Sequence, residues 1–321
     1  MHTSSIKFNL LLSESDLNSF CSDWIEPCLS RHFNLIWDHQ KYTHSNDNTL
    51  IVRGLYPKNN WYQKYIDQGY KVINDDLWDQ YVDNSYSVIE NNMLKIRNKN
   101  WIWYNESLWW QHLGYHNYQQ NKNPIKHFLL LMNQQRPHRD SLFKNLQDYL
   151  NKSIYSYIAQ GVQIEDDLEI THGDWQRHMS PRWFDETAFS IVAESMMSPS
   201  HAPTDNLGEV FISEKTFKPI AFKHPFIIAG TCGLLSYLKE QGFATYDHVI
   251  DESYDIINDQ NVRLQKVIDE IKRLILDEET FSDSLTLEKQ LHNFNLFYNR
   301  DYIIQQLENT LIKDILDYAE T

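Results

Sequence analysis

The sequence predicts an α/β protein of two domains, and three observations lead there. The chain has 321 residues, longer than an ordinary domain of roughly 100–200 residues. Short apolar runs alternate with helical patterns, as strand–helix–strand units on a parallel sheet require. The two parts of the chain also differ in chemistry. Residues 1–122 carry 11 Lys and Arg against 13 Asp and Glu, whereas residues 123–321 carry 18 against 31. Eight of the ten Trp fall in the first 110 residues. Domains at 1–122 and 123–321 are therefore expected.

In the first part, Asn48–Gly54 reads as a buried strand ended by Gly54 and the nearby Pro57. Asn60–Gly69 has helical spacing and a terminal glycine, and Tyr70–Asn74 reads as the next strand. Residues 77–94 are expected to be helical, and Trp101–Asn105 (WIWYN) to form a third strand. Residues 116–124 are rich in Asn and Gln and end in Pro, which suits a linker between domains.

The second part opens on Lys126–Asn133, an apolar run suited to a central parallel strand. A basic turn, Gln134–Arg139, leads to a helix over Asp140–Leu150, with Leu142, Phe143, Leu146 and Leu150 on one stripe. Phe189–Ala193 is a strand, Ser213 caps a helix to about Lys223, and Phe226–Gly230 is another strand. A tight turn at Thr231–Gly233 and a helix over Leu234–Gln241 follow. From Asn261 to Ala319 the pattern is that of amphipathic helices, with Val267, Ile268, Ile271 and Ile275 on one face.

Composition removes several functions. Charged residues are 23% and hydrophobic ones 41%, which fits a packed globular chain rather than a disordered one. Nine Gly and nine Pro are too few for collagen-like or Pro-rich architectures. Three Cys, at 21, 28 and 232, give neither a disulfide framework nor a Cys/His metal cluster. No apolar run reaches the ~18 residues that a membrane span needs, and the apolar patch in residues 1–16 is too short for a secretion signal. A cytoplasmic, soluble protein is expected. A net charge of −15 lacks the basic footprint of a bulk duplex binder.

Two clusters could carry chemistry. Ser213-Glu214-Lys215 stands where a loop meets a helix start, where backbone N–H groups and the helix dipole favour an anion. The Lys could neutralise a diphosphate there, and the Glu could accept from ribose hydroxyls. A plain Ser cap with an acidic first turn fits the same residues. Arg136 and Arg139 flank a turn after a strand, where guanidinium groups clamp phosphate oxygens, and surface arginines fit equally. Both clusters occupy loop-to-helix junctions of one α/β domain, where such folds bind ligands.

These segments, MNQQRPHRDSLFKNL, FSIVAES and FISEKTFKPIAFKHPFIIAG, resemble the carboxyl-terminal donor domain of the α-1,3-fucosyltransferase family over residues 126–235. The resemblance implies a GT-B fold of two Rossmann-like domains with a helical C-terminal tail. It also implies a nucleotide-sugar donor in the second domain and a hydroxyl acceptor in the first. By position, Arg139 matches the family arginine that contacts the donor diphosphate, Glu214 the ribose-binding carboxylate and Lys215 the phosphate-binding lysine. Glu194 matches the glutamate of the preceding segment. Ser213 replaces the usual Thr, and Phe211 stands where a hydroxyl-bearing aromatic is usual. The stretch Asp251–Asp255 lies outside the pattern, so a GDP-linked donor is in question while a nucleotide sugar is not.

Inverting sugar transfer needs a base for the acceptor hydroxyl. Glu106, in WIWYNESLWW, resembles the segment where the family places it, although a helix cap beside core tryptophans fits too. Asp75, Asp76, His112 and His116 are the alternatives. Asp75-Asp76 and Asp166-Asp167 read as solvated turns, and no metal or cofactor is expected. The expected activity is a metal-independent, inverting glycosyltransferase. Its rivals are an enzyme that glycosylates hydroxymethylated bases in DNA, which the charge does not favour, and an inactive nucleotide-sugar or glycan-binding protein.

Overall fold

The structure, a computed structural model, describes residues 8–12, 30–37, 50–54, 67, 70–74, 86–90, 93–97, 101–164, 179–198, 210–277 and 280–320. The chain divides into two units, residues 1–112 with 299–321, and residues 113–298. That division differs from the expected one at its boundary and in the last helices. An amphipathic pattern says that a helix buries one face, but not against which partner.

In the first unit, β1 (Phe8–Leu12), β2 (Phe33–Trp37), β3 (Leu50–Gly54), β4 (Lys71–Asn74), β5 (Tyr86–Glu90) and β6 (Met93–Arg97) form one sheet. Its order is β2-β1-β3-β4-β6-β5. All pairings are parallel except β5 with β6. The expected strands at 48–54 and 70–74 are present as β3 and β4, paired in parallel from Ile51↔Lys71 to Gly54↔Asn74. The helix expected over Asn60–Gly69 lies outside the described residues apart from Asp67.

Two expectations for this unit are corrected. Part of the stretch 77–94 forms the antiparallel pair β5–β6 rather than a helix, while residues 77–85 lie outside the described residues. Trp101–Asn105 opens the helix α1 (Trp101–His112) instead of forming a strand. Aromatic residues prefer strands only weakly. Here Trp103, Ser107 and Trp110 recur at helical spacing and are all buried, so packing of one helix face decides.

The second unit contains β7 (Lys126–Met132), α2 (Pro137–Asn145), β8 (Ser153–Tyr157), α3 (Pro181–Asp185), β9 (Thr187–Ala193), α4 (Glu214–Ala221), β10 (Phe226–Ala229), α5 (Leu234–Glu240), α6 (Gln260–Leu276) and α7 (Ser284–Phe297). Its four strands are parallel in the order β10-β9-β7-β8. The expected strands at β7, β9 and β10 are present, and β8 is an addition to them. The helix expected over 140–150 stops at Asn145, and a 3₁₀ turn at Gln147–Lys152 leads into β8. Phe128, Phe189 and Phe281 pack ring on ring across the sheet, at centroid distances of 6.2 and 5.2 Å.

The expected linker is strapped to this unit. Asp185 accepts the Tyr118 hydroxyl and, at 3.0 Å, the Asn121 amide. Lys122 Nζ donates to the carbonyls of Thr187, Phe184 and Ala188. Its polar residues thus satisfy backbone groups at the start of β9, as buried carbonyls require.

Beyond β10, the turn and α5 depend on Asp255, in the stretch outside the family resemblance. Its carboxylate accepts the amides of Leu235 and Ser236, both at 2.9 Å, and the Ser236 hydroxyl at 3.0 Å. It thereby supplies the cap that Gly233 lacks. Arg263 of α6, 2% exposed, donates to the carbonyls of Gly230, Met197, Ile257 and Asn258. One guanidinium ties the ends of β9 and β10 to the start of α6.

The chain then returns to the first unit through α8 (Arg300–Leu307) and α9 (Lys313–Glu320). Trp103 stacks on Tyr302 at 6.1 Å. Lys71 Nζ donates to the carbonyls of Tyr318 (3.1 Å) and Ala319 (2.8 Å), meeting the negative end of α9 with a cation. Among the described residues, no helix is long and apolar enough to cross a membrane.

Replacing Arg263 by Leu strands the buried carbonyls of Gly230 and Met197 and removes the part-buried contacts to Ile257 and Asn258. At about 1–3 kcal/mol for each buried group left unsatisfied, partly relieved by rearrangement, a loss of about 3 kcal/mol or more is expected. Urea unfolding of the variant measures it, and a loss below about 1 kcal/mol would show that the carbonyls find other partners.

Candidate functional site

Parallel strands all point their carboxyl ends the same way, so the loops after β7, β9 and β10 gather on one edge of the sheet. Three short segments meet there, Gln134–Asp140, Ala193–Ser195 and Phe211–Thr216. Each starts from a simple local cause. Pro137 stands at the first position of α2, where its missing N–H costs nothing. Ser213 is extended and caps α4. Glu194 follows β9 directly.

Glu194 is fully buried, at 0% exposure. One carboxylate oxygen accepts the Ser213 amide at 3.1 Å and the Thr216 hydroxyl at 2.7 Å. The other accepts the Ser213 hydroxyl at 2.5 Å and the Ser195 amide at 3.1 Å. Four donors from three residues therefore hold one buried carboxylate, which would otherwise be expensive to desolvate. Its charge fixes the loop leading into α4. Gly230 closes the other side, since a Cβ there would stand 3.6 Å from Glu194 Cγ and 3.4 Å from Ile228 Cγ2.

The backbone of Glu194 is held from the opposite direction. Its carbonyl accepts from Arg139 at 3.0 Å and from His138 Nε2 at 2.8 Å. Arg139 also donates to the carbonyls of Ala193 (3.1 Å) and Gln134 (3.0 Å) and is 2% exposed. Burial presses its pKa down, and the Glu194 carboxylate opposes that shift. Because His138 Nε2 faces a carbonyl, that nitrogen carries a proton. Burial pushes its pKa down to about 4, with the neighbouring Arg139 and Arg136 adding to the effect.

At the rim, Lys215 Nζ lies 2.6 Å from Glu214 Oε1, both side chains partly exposed. Arg136 is exposed, and its guanidinium donates to Gln134 Oε1 at 3.0 Å and to the Gln135 carbonyl at 3.3 Å. Asp140 accepts the Tyr157 hydroxyl at 2.7 Å and Gln135 at 3.0 Å, and the Tyr157 contact above all holds its pKa down. Phe211 is buried, with its amide on Thr231 Oγ1 at 2.9 Å.

The fold thus brings together the six expected donor-side residues, Arg136, Arg139, Glu194, Ser213, Glu214 and Lys215. They stand in two layers. Arg139, Glu194 and Ser213 are buried and bonded to one another's segments, while Arg136, Glu214 and Lys215 stand above them. Glu106 belongs to the first unit, on α1. It is 1% exposed, and the Trp110 indole donates to it at 3.2 Å. His112 stacks on Trp109, and His116 lies edge-on to Tyr298. Asp75, Asp76, Asp166 and Asp167 lie outside the described residues.

Sequence reading missed His138, Thr216, Ser195 and Arg263. For Thr216 a signal existed, since it stands three residues after the cap, where a side chain can turn back on the loop. For Arg263 there was none. A cation on an amphipathic helix ordinarily reads as part of the solvated face.

No family model matches the chain, and no curated protein matches it in sequence. Among solved structures, an α1,3-fucosyltransferase is similar to it with TM-score 0.50 at 10% identity, over 100% of this chain and 92% of that one. An α1,3-fucosyltransferase with GDP gives TM-score 0.48 at 10% identity, over 100% and 93%. The first likeness is one of fold, and with one largely parallel sheet, one fully parallel sheet and a helical end it makes the fold class α/β, GT-B-like.

The neutral His138 makes acid a probe of this edge. A histidine with a folded-state pKa near 4 against an ordinary 6.5 is protonated more readily in the unfolded chain. Its stabilisation is therefore complete above about pH 6.5 and is lost as pH falls toward 4. His224, fully buried between Thr187 and Ser190, is shifted the same way by burial. The melting temperature should fall over this window, and His138→Gln should make the fall shallower. Superimposable pH curves for the two proteins would remove His138 from the effect.

Proposed function

We propose that the chain is a glycosyltransferase that moves a sugar from a nucleoside-diphosphate sugar to an acceptor hydroxyl. The observation that carries the reading is the convergence of Arg136, Glu214 and Lys215 with two helix starts on the carboxyl edge of the second sheet. Helix starts and cations attract a diphosphate. A carboxylate beside them can take the ribose hydroxyls, if the Glu214–Lys215 pair opens to serve ribose and phosphate. The fold likeness to an α1,3-fucosyltransferase supports the same class.

In the reaction, the acceptor oxygen attacks the anomeric carbon from the face opposite the leaving diphosphate, inverting that centre. The bond to the diphosphate oxygen breaks with its electron pair, and a carboxylate takes the acceptor proton. Positive charge from Arg136, Lys215 and the helix dipoles stabilises the leaving diphosphate, so the scheme calls for no metal. We assign the base to Glu106. Glu106 stands in the segment that resembles the family's base segment, and the Trp110 indole, donating to it at 3.2 Å, orients its carboxylate. Its cover must part for the acceptor to reach it.

The donor reading is tested by thermal shift with GDP-, UDP-, CMP- and dTDP-sugars. Ligand at 100 times its Kd stabilises a fold by about 2.7 kcal/mol, so one nucleotide class should raise the melting temperature clearly. No shift with any of them contradicts the reading.

The base is tested separately with Glu106→Gln. The amide keeps the size of the side chain but takes no proton. Folding and donor binding should survive, and turnover at saturating donor should fall by ~10²-fold or more. A well-folded variant with full turnover would give Glu106 a packing role alone.

A further inference from the structure

The two-layered edge separates the residues that could touch an anionic ligand from those that hold them. Resting on the nucleotide reading above, we infer that Arg139 and Glu194 are positioning residues, and that the guanidinium meeting the diphosphate is that of Arg136. Arg139 directs both terminal nitrogens inward, while its buried Nε has no hydrogen-bond partner among the described residues. Three hydrogen bonds go to the carbonyls of Gln134, Ala193 and Glu194, which lock the turn before α2 to the end of β9. Glu194 spends both oxygens on Ser213, Thr216 and Ser195, which lock the end of β9 to the start of α4.

The two residues form one chain of contacts from α2 to α4. Charge points the same way. The buried Arg139 faces the Glu194 carboxylate, so that cation is already opposed. Lys215 is opposed by Glu214 at 2.6 Å. Arg136 is exposed at the start of α2, and its guanidinium contacts go to the neighbouring Gln134 and Gln135. An arriving diphosphate can recruit it by breaking two exposed, neutral contacts. Recruiting Arg139 would instead strip carbonyl partners from a buried turn, which costs far more.

A positioning residue and a contacting residue differ in what they discriminate. A group that touches phosphate matters only to ligands carrying phosphate. A group that sets the α4 start matters equally to the nucleoside, because Glu214 moves with it. The test measures affinity by calorimetry on the full chain, with GDP and guanosine, UDP and uridine, and dTDP and thymidine as probes. Melting temperature is recorded alongside.

Arg136→Ala should weaken the diphosphate by ~10-fold or more, the span of a charge-assisted hydrogen bond, and leave nucleoside affinity and melting temperature unchanged. Arg139→Lys keeps the charge but loses the planar fork that reaches three carbonyls. It should weaken nucleoside and diphosphate by the same factor. Ser213→Ala, which cuts the same contact chain at its other end, should do likewise and decides the matter if Arg139→Lys does not fold. Loss confined to the diphosphate in Arg139→Lys, with Arg136→Ala silent, overturns the inference and leaves the nucleotide reading standing. Lower melting temperatures with both affinities intact in Arg139→Lys and Ser213→Ala overturn it too. A wild-type chain that binds none of the six probes overturns the reading and the inference together.

Discussion

The second unit is organised around a carboxylate that has no access to water. Burying Glu194 at the end of β9 is tolerable only because four donors meet its two oxygens. Those donors come from the residue that follows it and from the first turn of α4, so satisfying the charge fixes where α4 begins. Once α4 begins there, Glu214 and Lys215 are carried to the rim. The backbone of the same residue is held by Arg139 and His138, which fixes the turn before α2 and carries Arg136 to the rim beside them. A single buried charge thus sets both helix starts on this edge of the sheet.

The ends of parallel strands pose a general difficulty, because their last carbonyls point past the sheet with no strand partner. This unit answers it twice with buried guanidinium groups. Arg139 collects carbonyls after β7 and β9, and Arg263 collects those after β9 and β10. Asp255 complements them by accepting the free amides at the start of α5. That helix start is filled by the chain's own carboxylate, as Glu194 fills the cap of α4. The segment with no counterpart in the resembled family therefore has a structural task.

Much of this unit could be read from the sequence, because continuous apolar runs such as KHFLLLM and FIIA leave little choice but buried strands. The clusters at Arg136–Arg139 and Ser213–Lys215 were legible for the same reason, since each directly adjoins a helix start. What could not be read is the sorting within them. Arg136 and Arg139 are three residues apart and chemically identical, yet one is exposed and the other buried, and only the position of β9 decides which. Arg263 and the return of α8 and α9 to the first unit depend likewise on partners far away in the chain. Trp101–Asn105 misled because its aromatic alternation fits a strand locally, while burial of Trp103, Ser107 and Trp110 on one face requires a helix.

The central claim is that an anionic nucleotide settles on the carboxyl edge of the second sheet, over the floor built on Glu194. Amide hydrogen exchange, with and without a saturating nucleotide sugar, locates that ligand directly. The account predicts added protection in peptides covering residues 133–140 and 211–217, with little change in those covering α7. Protection that appears only in peptides of the first unit, or that leaves both segments unchanged, would contradict it.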